Sequence, residues 1–224
     1  MLTFYYHPLS PIARRVWVAL LEKAIPFEPI VVNLNGEQLK PEFLSLNPFH
    51  HVPVIVDGEL RVLESLAILD YLEAKYPEPS LSPKSPEAIA QMKMIQLVTT
   101  NELTPKLPAL VNLSDAEASD NSTVQQIKTV LSFFAEQLAG TEYFTGETFS
   151  LADITAGTAI SLVVRLGITL EEYPAITAWY DRLRERDSWQ KTELSDESFE
   201  TWRRWVALMI KRRQRQPIKT AVKA

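Results

Sequence analysis

The stretch from His51 to Tyr76 constrains the fold of this chain more than any other segment. It begins with a β-branched run, Val54 to Val56, and returns after Asp57-Gly58 as a second apolar run, Leu60 to Leu63. An Asp-Gly pair supplies the positive φ angles of a two-residue turn, so the two runs are predicted to pair as a β-hairpin. The turn also fixes which residues face each other across the two strands.

A helix is predicted directly after this hairpin. Its apolar residues recur at helical spacing from Leu66 to Leu72, and Pro77 ends the pattern. Glu64 and Ser65 stand at the beginning of the helix, where free backbone N–H groups favour a carboxylate ligand. The carboxylate of Glu64 is placed to meet an ammonium group.

Pro53 stands at the beginning of the first hairpin strand, where the missing N–H of proline does not cost a bond between strands. A cis Val52-Pro53 peptide bond is one conformation that satisfies this position. It would direct the backbone N–H and C=O of Val52 outward, as an unpaired edge that an extended peptide can join. This edge, the helix N-terminus and the carboxylate of Glu64 together suit a small zwitterionic peptide.

Composition excludes several classes of protein. The formal charge of −5 argues against a nucleic-acid-binding protein, which normally has a basic face. The absence of cysteine excludes disulfides, thiolate metal sites and attack by a thiol of the protein itself. His50 and His51 alone do not make a metal site, so no metal is expected. Without an apolar leader or an 18-residue apolar run, we expect a cytoplasmic protein with no membrane partner.

The first part of the chain is predicted to form a mixed four-stranded sheet covered by helices, in the order β-α-β-α-β-β-α. The patterns place a strand at Leu2 to Tyr6, a helix capped by Ser10, a strand at Phe27 to Asn33 and a short helix at Pro41 to Leu46 before the hairpin. Proline and serine concentrate next, which predicts a linker over 79–86 between a first domain at 1–78 and a second at 87–210.

The linker is followed only by helical patterns. The predicted helices are 87–113, interrupted by Pro105 and Pro108, then 123–138, 150–165, 174–186 and 198–210, with a polar loop over 114–121. Ser150 and Asp153 form a capping-box-like pair at the start of one of these helices. Six Lys or Arg residues over 211–224 indicate a basic, flexible tail.

Four motifs along the chain resemble those of the glutathione transferase family. They are HPLSPIARRV near the start, NPFHHVP before the hairpin, LESLAILDYLEAKYP after it and TFSLADI in the second domain. The resemblance covers nearly the whole chain. It implies a thioredoxin-like α/β domain followed by an all-helical domain, and an enzyme that uses glutathione as co-substrate.

The resemblance also implies a glutathione site. In it, Ser65 and its backbone N–H hold the γ-glutamyl carboxylate, Glu64 approaches the ammonium group, and Val52 pairs with the cysteinyl backbone beside Pro53. Three further residues fall near positions where the family contacts the glycyl end of glutathione: Gln38, Lys40 and His51. At these the match is looser, since plant-type relatives usually carry His-Lys where this chain has Gln38-Leu39 and Gln where it has His51.

Ser10 is the residue expected to activate the thiol. A cysteine thiol has a pKa near 8.5, which must fall by about two units for a thiolate to form at neutral pH. Ser10 at the N-terminus of the first helix offers a hydroxyl donor and the helix dipole, and the serine-type classes likewise place their active serine four residues before an arginine. Tyr6 is the alternative, because tyrosine-type members place a phenol near the end of the first strand. Arg14 and Arg15 either add a positive electrostatic field that favours the thiolate or have structural roles.

The expected chemistry is conjugation of glutathione to small hydrophobic electrophiles, or reduction of organic peroxides. Thiol–disulfide exchange is excluded because relatives that perform it use a cysteine at the Ser10 position. The electrophile pocket is expected between the domains, lined by Leu9, Pro11 and Asn101. Phe49 falls near the aromatic residue that locks the family's dimers, which implies a homodimer.

The alternative is a protein of this family without catalytic activity. Some relatives use the same fold as a protein-interaction or ligand-binding module. The presence of Ser10, Val52, Glu64 and Ser65 together favours the enzyme, a detoxifying transferase, over such a module.

Overall fold

The computed structural model describes residues 1–112 and 121–215. Its single sheet has four strands in the spatial order β2-β1-β3-β4. They are β1 (Leu2–Tyr6), β2 (Phe27–Val31), β3 (Val54–Asp57) and β4 (Leu60–Leu63). The β1–β2 pair is parallel and the other two pairs are antiparallel, so the predicted mixed sheet is confirmed.

Helices cover both faces of this sheet. They are α1 (Pro11–Glu22), α2 (Pro41–Leu46) and α3 (Ser65–Lys75), with a short 3₁₀ turn at Glu37–Leu39. Because side chains alternate along a strand, Phe4 and Ile55 face the large core with α1 and α3, whereas Val54 packs with Phe43 of α2 on the opposite face. The hairpin is confirmed, but its two turn residues are Gly58 and Glu59 and not the predicted Asp57-Gly58, because Asp57 still pairs with Leu60 as the last residue of β3. Gly58 alone of these residues has a positive φ, 62°.

The rest of the described chain is helical. Its helices are α4 (Pro86–Val98), α5 (Leu107–Leu110), α6 (Ser122–Gln137), α7 (Leu151–Arg165), α8 (Pro174–Arg184), α9 (Asp187–Thr192) and α10 (Asp196–Arg215). The predicted architecture, an α/β part followed by an all-helical part, is confirmed. None of the described helices is both long and apolar enough to cross a bilayer.

Several predicted boundaries differ from the observed ones. The segment after α4 changes to a π-helical turn at Thr99–Leu103 and a 3₁₀ turn at Thr104–Lys106, so the irregularity begins before Pro105. The helix predicted over 174–186 stops at Arg184, and α9 follows it as a separate helix. The last helix extends to Arg215, beyond the predicted start of the tail at residue 211. The predicted loop over 114–121 lies outside the described residues except for Asn121.

Helix α1 connects the two parts of the molecule. Its Arg14 is buried and bonds four residues of the helical part, through Nη2 to Glu193 Oε2 (2.5 Å) and the carbonyl of Trp189 (3.5 Å), Nη1 to Ser161 Oγ (3.0 Å) and Nε to Thr192 Oγ1 (3.2 Å). Of the two roles left open for this residue, the structure supports the structural one. At the other end of α1, Lys23 pairs with Glu73 Oε2 at 2.7 Å. The contacts of Arg14 hold the first turn of α1 against the helical part, and the Lys23–Glu73 pair holds its last turn against α3.

Candidate functional site

The strand directions bring the predicted site residues to one end of the sheet. Strands β1 and β4 end there, and β3 begins there, because β3 is antiparallel to both neighbours. The loop after β1 carries Ser10, the segment before β3 carries Val52 and Pro53, and the residues after β4 are Glu64 and Ser65. The same end of the sheet therefore holds Ser10, the Val52-Pro53 pair and the Glu64-Ser65 pair, although these three segments are far apart in sequence.

Ser10 caps the N-terminus of α1. Its Oγ accepts a hydrogen bond from the backbone N–H of Ala13 at 3.2 Å, and Pro11 occupies the first helical position. The hydroxyl hydrogen of Ser10 has no acceptor among the described residues, so it is available to a ligand. A half-buried hydroxyl at a helix N-terminus can donate to an anion while the helix dipole adds to its stabilisation.

His7 shapes the turn that presents Ser10, a role that the sequence did not indicate. Its Nδ1 accepts a hydrogen bond from the backbone N–H of Leu9 at 3.1 Å, and its carbonyl accepts one from the N–H of Ser10 at 2.9 Å. Burial lowers the pKa of the His7 imidazole, because it disfavours the charged form. Only the neutral ring can accept at Nδ1, so this turn depends on a neutral histidine.

We expect His7 to make folding stability depend on pH. Its folded-state pKa lies below the unfolded value of 6.5, so the unfolded chain binds a proton first and stability falls as pH drops below that value. In His7→Asn, an amide oxygen can still accept from residue 9 but does not titrate. Thermal unfolding between pH 5 and pH 8 should therefore show that the variant loses less stability at acid pH than the wild type. Equal losses in both proteins would rule out His7 as the source.

Tyr6, the alternative to Ser10, lies in the core of the first domain. Its ring stacks on Phe4 with centroids 4.8 Å apart and meets Trp17 edge-on at 5.2 Å. Burial raises the pKa of the Tyr6 hydroxyl, which makes it a weaker acid. This environment favours a packing role for Tyr6 and leaves Ser10 as the better candidate.

The backbone of Val52 forms the unpaired edge that the sequence predicted. The Val52-Pro53 peptide bond is cis. Neither the N–H nor the C=O of Val52 bonds any described residue, although its side chain is buried in the small cluster under α2. The two groups can therefore pair with the backbone of an extended ligand.

Asn47 holds the loop that precedes this edge, and sequence reasoning missed it. The side chain is buried, and its Oδ1 accepts from the N–H of Phe49 at 2.9 Å while its Nδ2 donates to the carbonyl of His51 at 2.7 Å. Asn47 thereby fixes the loop on both sides of His50, which has a φ of 52°. The position of Asn47 in the NPFHHVP motif is the sequence feature that could have indicated this role.

Glu64 and Ser65 begin α3 as predicted, but their backbone is unusual. Glu64 has φ 65° and ψ 119°, a conformation that non-glycine residues rarely adopt and that clusters at binding sites. Its exposed carboxylate makes no ion pair within the described residues, and its carbonyl accepts from the N–H of Ile68 at 2.9 Å. Ser65 is 4% exposed and occupies the first helical position, where the N–H groups of the first turn have no helical partners.

The three residues predicted near the glycyl end, Gln38, Lys40 and His51, lie in different environments. Gln38 uses both ends of its side-chain amide within its own turn, accepting from the N–H of Gly36 at 2.9 Å and donating to the carbonyl of Leu34 at 2.8 Å. One N–H and one lone pair of this amide remain for a ligand. Lys40 is exposed at the start of α2, beside a 460 Å³ cavity between α2 and the sheet. His51 is exposed next to the edge of Val52, with its ring 5.1 Å from that of His50.

The residues predicted to line the electrophile pocket belong to the Ser10 turn and to the π-helical turn. Leu9 and Pro11 flank Ser10 and are half-buried, and Leu9 packs against the large core. Asn101 is exposed on the π-helical turn. Arg15 of α1 bonds Thr100 of that turn at 3.1 Å, which brings α1 and the turn together.

The described residues contain no group of three or more His, Asp or Glu side chains that could hold a metal ion. Phe49, predicted at a dimer interface, is 59% exposed on its loop. What the site offers instead is a hydroxyl at one helix N-terminus, a second helix N-terminus, a free carboxylate and a free backbone edge. These groups suit a zwitterionic peptide that carries an anion near Ser10.

Comparisons with known proteins point in one direction. The family model described as "Glutathione S-transferase, N-terminal domain" matches residues 4–80, and that for the C-terminal domain matches residues 98–187. Glutathione S-transferase F10 of Arabidopsis thaliana is 31% identical over 206 residues, covering 85% of this chain and 96% of that protein. Glutathione S-transferase 1 of Dianthus caryophyllus is 34% identical over 186 residues, covering 79% of this chain and 84% of that protein.

A solved glutathione S-transferase structure has a similar fold. Glutathione S-transferase-I bound with the ligand lactoylglutathione superimposes with a TM-score of 0.75 at 27% identity, covering 85% of this chain and 97% of that one.

Proposed function

Because the chain belongs to the glutathione S-transferase family, we propose that it binds glutathione at this end of the sheet and activates its thiol at Ser10 for transfer to small electrophiles. One observation carries the proposal. The free hydroxyl hydrogen of Ser10 lies at the same end of the sheet as the unpaired backbone of Val52 and the N-terminus of α3. A peptide bound by the Val52 backbone and the N-terminus of α3 would have its middle residue near the Ser10 hydroxyl.

The recognition part of the proposal assigns each charge of glutathione to a group of the protein. The γ-glutamyl carboxylate would accept from the backbone N–H and hydroxyl of Ser65, where the helix dipole of α3 favours an anion. The free carboxylate of Glu64 would pair with the ammonium group. The backbone of Val52, next to Pro53, would pair with the cysteinyl residue as a further strand does.

The glycyl end is the least defined part of the proposed site. Lys40 and His51 are exposed near it and can meet its carboxylate. Gln38 would contribute by holding the turn over residues 34–38, since its amide is used there.

The chemical part of the proposal rests on Ser10. Its hydroxyl would donate to the sulfur and, with the α1 dipole, favour the thiolate over the thiol. The thiol proton passes to solvent and the sulfur forms a bond to the electrophilic carbon. With an aryl halide the halide departs as an anion, whereas with an isothiocyanate the C=N π bond breaks and the nitrogen takes up a proton from solvent. Leu9, Pro11 and Asn101 would line the space for that electrophile, and detoxification of such compounds would be the cellular role.

We also infer a homodimer. Phe49 and Leu60 are exposed apolar side chains at the loop before β3 and on β4, and Met94 and Leu97 are exposed on α4. A second copy of the chain that covered these surfaces would remove them from water. Sedimentation analysis should then give about twice the 25.5 kDa of one chain, and a mass near 25.5 kDa would contradict the dimer. The proposal includes a cytoplasmic location, which cell fractionation would test.

Paired measurements of binding and turnover test the proposed function. Isothermal titration should detect glutathione binding, and an aryl halide or an isothiocyanate should be conjugated. Glu64→Gln and Ser65→Ala should each weaken glutathione binding by about 10- to 100-fold, since the first removes the charge that pairs with the ammonium group and the second removes a hydrogen bond to a carboxylate. Glu59→Gln, the same change at an exposed carboxylate in the hairpin turn, is the matched control and should bind normally.

Two outcomes would contradict the proposal. Normal glutathione binding by both Glu64→Gln and Ser65→Ala would overturn the recognition site. Tight binding without turnover of any electrophile or organic peroxide would instead support the non-catalytic module. None of the relatives compared above carries the name of such a module.

A further inference from the structure

Arg15 of α1 is a buried side chain whose polar contacts are unusual. It is 1% exposed. Its Nη1 donates to Thr100 Oγ1 at 3.1 Å and its Nη2 to Thr104 Oγ1 at 2.9 Å, while its Nε is buried with no partner among the described residues. The hydroxyl of Thr104 donates onward to the carbonyl of Thr99 at 2.8 Å, so its lone pairs are left to face the guanidinium.

No described carboxylate lies within ion-pair distance of Arg15. The neighbouring Arg14 has the opposite environment, since Glu193 lies 2.5 Å from its Nη2. Burial lowers the pKa of Arg15 to about 10, which still leaves the guanidinium charged at neutral pH. An isolated buried charge is costly, and proteins normally pair it. The interior beside α1 therefore holds one positive charge that the described residues do not neutralise.

The position of this charge relates it to the proposed thiolate. Arg15 follows Ser10 by five residues, which places their backbones about 8 Å apart along the helix axis. Side chains on a helix lean toward its N-terminus, which inclines Arg15 toward the end of α1 that carries Ser10. Its two partners, Thr100 and Thr104, lie on either side of Asn101 along the chain, in the irregular helical stretch that faces α1. Irregular turns of this kind are frequent at functional sites.

We propose that Arg15 is a second electrostatic element of the site, whose unneutralised charge favours the glutathione thiolate bound at Ser10 without touching it. The bound thiolate supplies the negative charge that the interior lacks. This inference rests on the proposed function, because it requires glutathione at Ser10. It also explains why the guanidinium is held by two neutral hydroxyls, which fix its place but leave its field intact.

The first test neutralises the charge without removing it. Thr104→Asp places a carboxylate against the guanidinium, and Thr104→Asn is the matched neutral control. The thiol pKa of bound glutathione, read from thiolate absorbance against pH, should rise by about one unit in Thr104→Asp, as expected for losing a unit charge at this distance. It should change little in Thr104→Asn. Thr104→Asp should also melt at a higher temperature than Thr104→Asn, since its carboxylate pairs with a buried charge.

The second test removes the charge. Arg15→Met should fold, because apolar side chains of similar volume often replace buried charges without loss of stability. The thiol pKa should again rise by about one unit, while S-methylglutathione, which cannot ionise at sulfur, should bind as it does to the wild type. A purely structural role would weaken S-methylglutathione and glutathione alike and leave the thiol pKa unchanged.

Three results would overturn the inference. They are an unchanged thiol pKa in folded Thr104→Asp or folded Arg15→Met, equal weakening of both ligands, and failure of both variants to fold. These differ from failure of the proposed function, in which the wild type itself would neither bind glutathione nor ionise its thiol.

Discussion

Replacing Ser10 by alanine should lower turnover at pH 7 by about 10- to 30-fold while glutathione still binds. The hydroxyl is expected to favour the thiolate, so its loss returns the thiol pKa toward its usual value near 8.5 and leaves little thiolate at neutral pH. Glutathione should still bind, because Val52, Glu64 and Ser65 are unchanged. The measurements are kcat for an aryl halide and the thiol pKa of bound glutathione.

Two variants separate this effect from loss of the α1 cap. Ser10→Ala also removes the bond to the Ala13 N–H, which costs about 1 kcal/mol of stability. Ser10→Thr keeps both the cap and the hydroxyl and should retain most of the turnover. Tyr6→Phe keeps the packed ring and removes only its hydroxyl, so it should be nearly as active as the wild type. Full turnover in Ser10→Ala with a loss in Tyr6→Phe would transfer the role to Tyr6.

The largest expected effect on stability is that of Asp153→Asn in α7. The side chain of Asp153 is completely buried and accepts from the N–H of Phe144 (3.1 Å), the N–H and Oγ of Ser150 (both 2.8 Å) and Trp179 Nε1 (2.8 Å). An amide of the same shape can accept at only one end, so donors would be left unpaired in the core. We expect a loss of about 3 kcal/mol or more in the free energy of unfolding.

Thermal unfolding provides the measurement. A loss of about 3 kcal/mol corresponds to roughly 6–12 °C in melting temperature for a chain of this size. Asp181→Asn, the same change at an exposed position on α8, is the control and should alter the melting temperature by no more than a degree or two. Turnover of the folded fraction should be unchanged, since Asp153 lies outside the proposed site. A loss below 1 kcal/mol would contradict the assignment of these four bonds.

The features that the sequence predicted well depend on local chemistry. The Asp57-Gly58 pair predicted the hairpin, although the two turn residues are Gly58 and Glu59, and the pair Ser150 and Asp153 is a capping box in the structure as its spacing indicated. The positions of Val52, Glu64 and Ser65 at one end of the sheet follow from that hairpin and the strand order. Their roles toward glutathione stay predictions.

The features that were missed depend on contacts between distant residues or on unusual backbone. The roles of His7 and Asn47 arise from loop hydrogen bonds that no periodicity encodes. The different environments of Arg14 and Arg15 depend on which helix faces each side of α1, which adjacent sequence positions cannot indicate. The hydrogen bonds that Gln38 makes within its own turn were likewise not predicted.

A crystal structure with bound glutathione tests the central claim most directly. The claim predicts the sulfur within about 3.5 Å of Ser10 Oγ, with the γ-glutamyl carboxylate at Ser65 and the cysteinyl backbone paired with Val52. A sulfur atom that lies instead against the Tyr6 hydroxyl, or glutathione bound away from this end of the sheet, would contradict it.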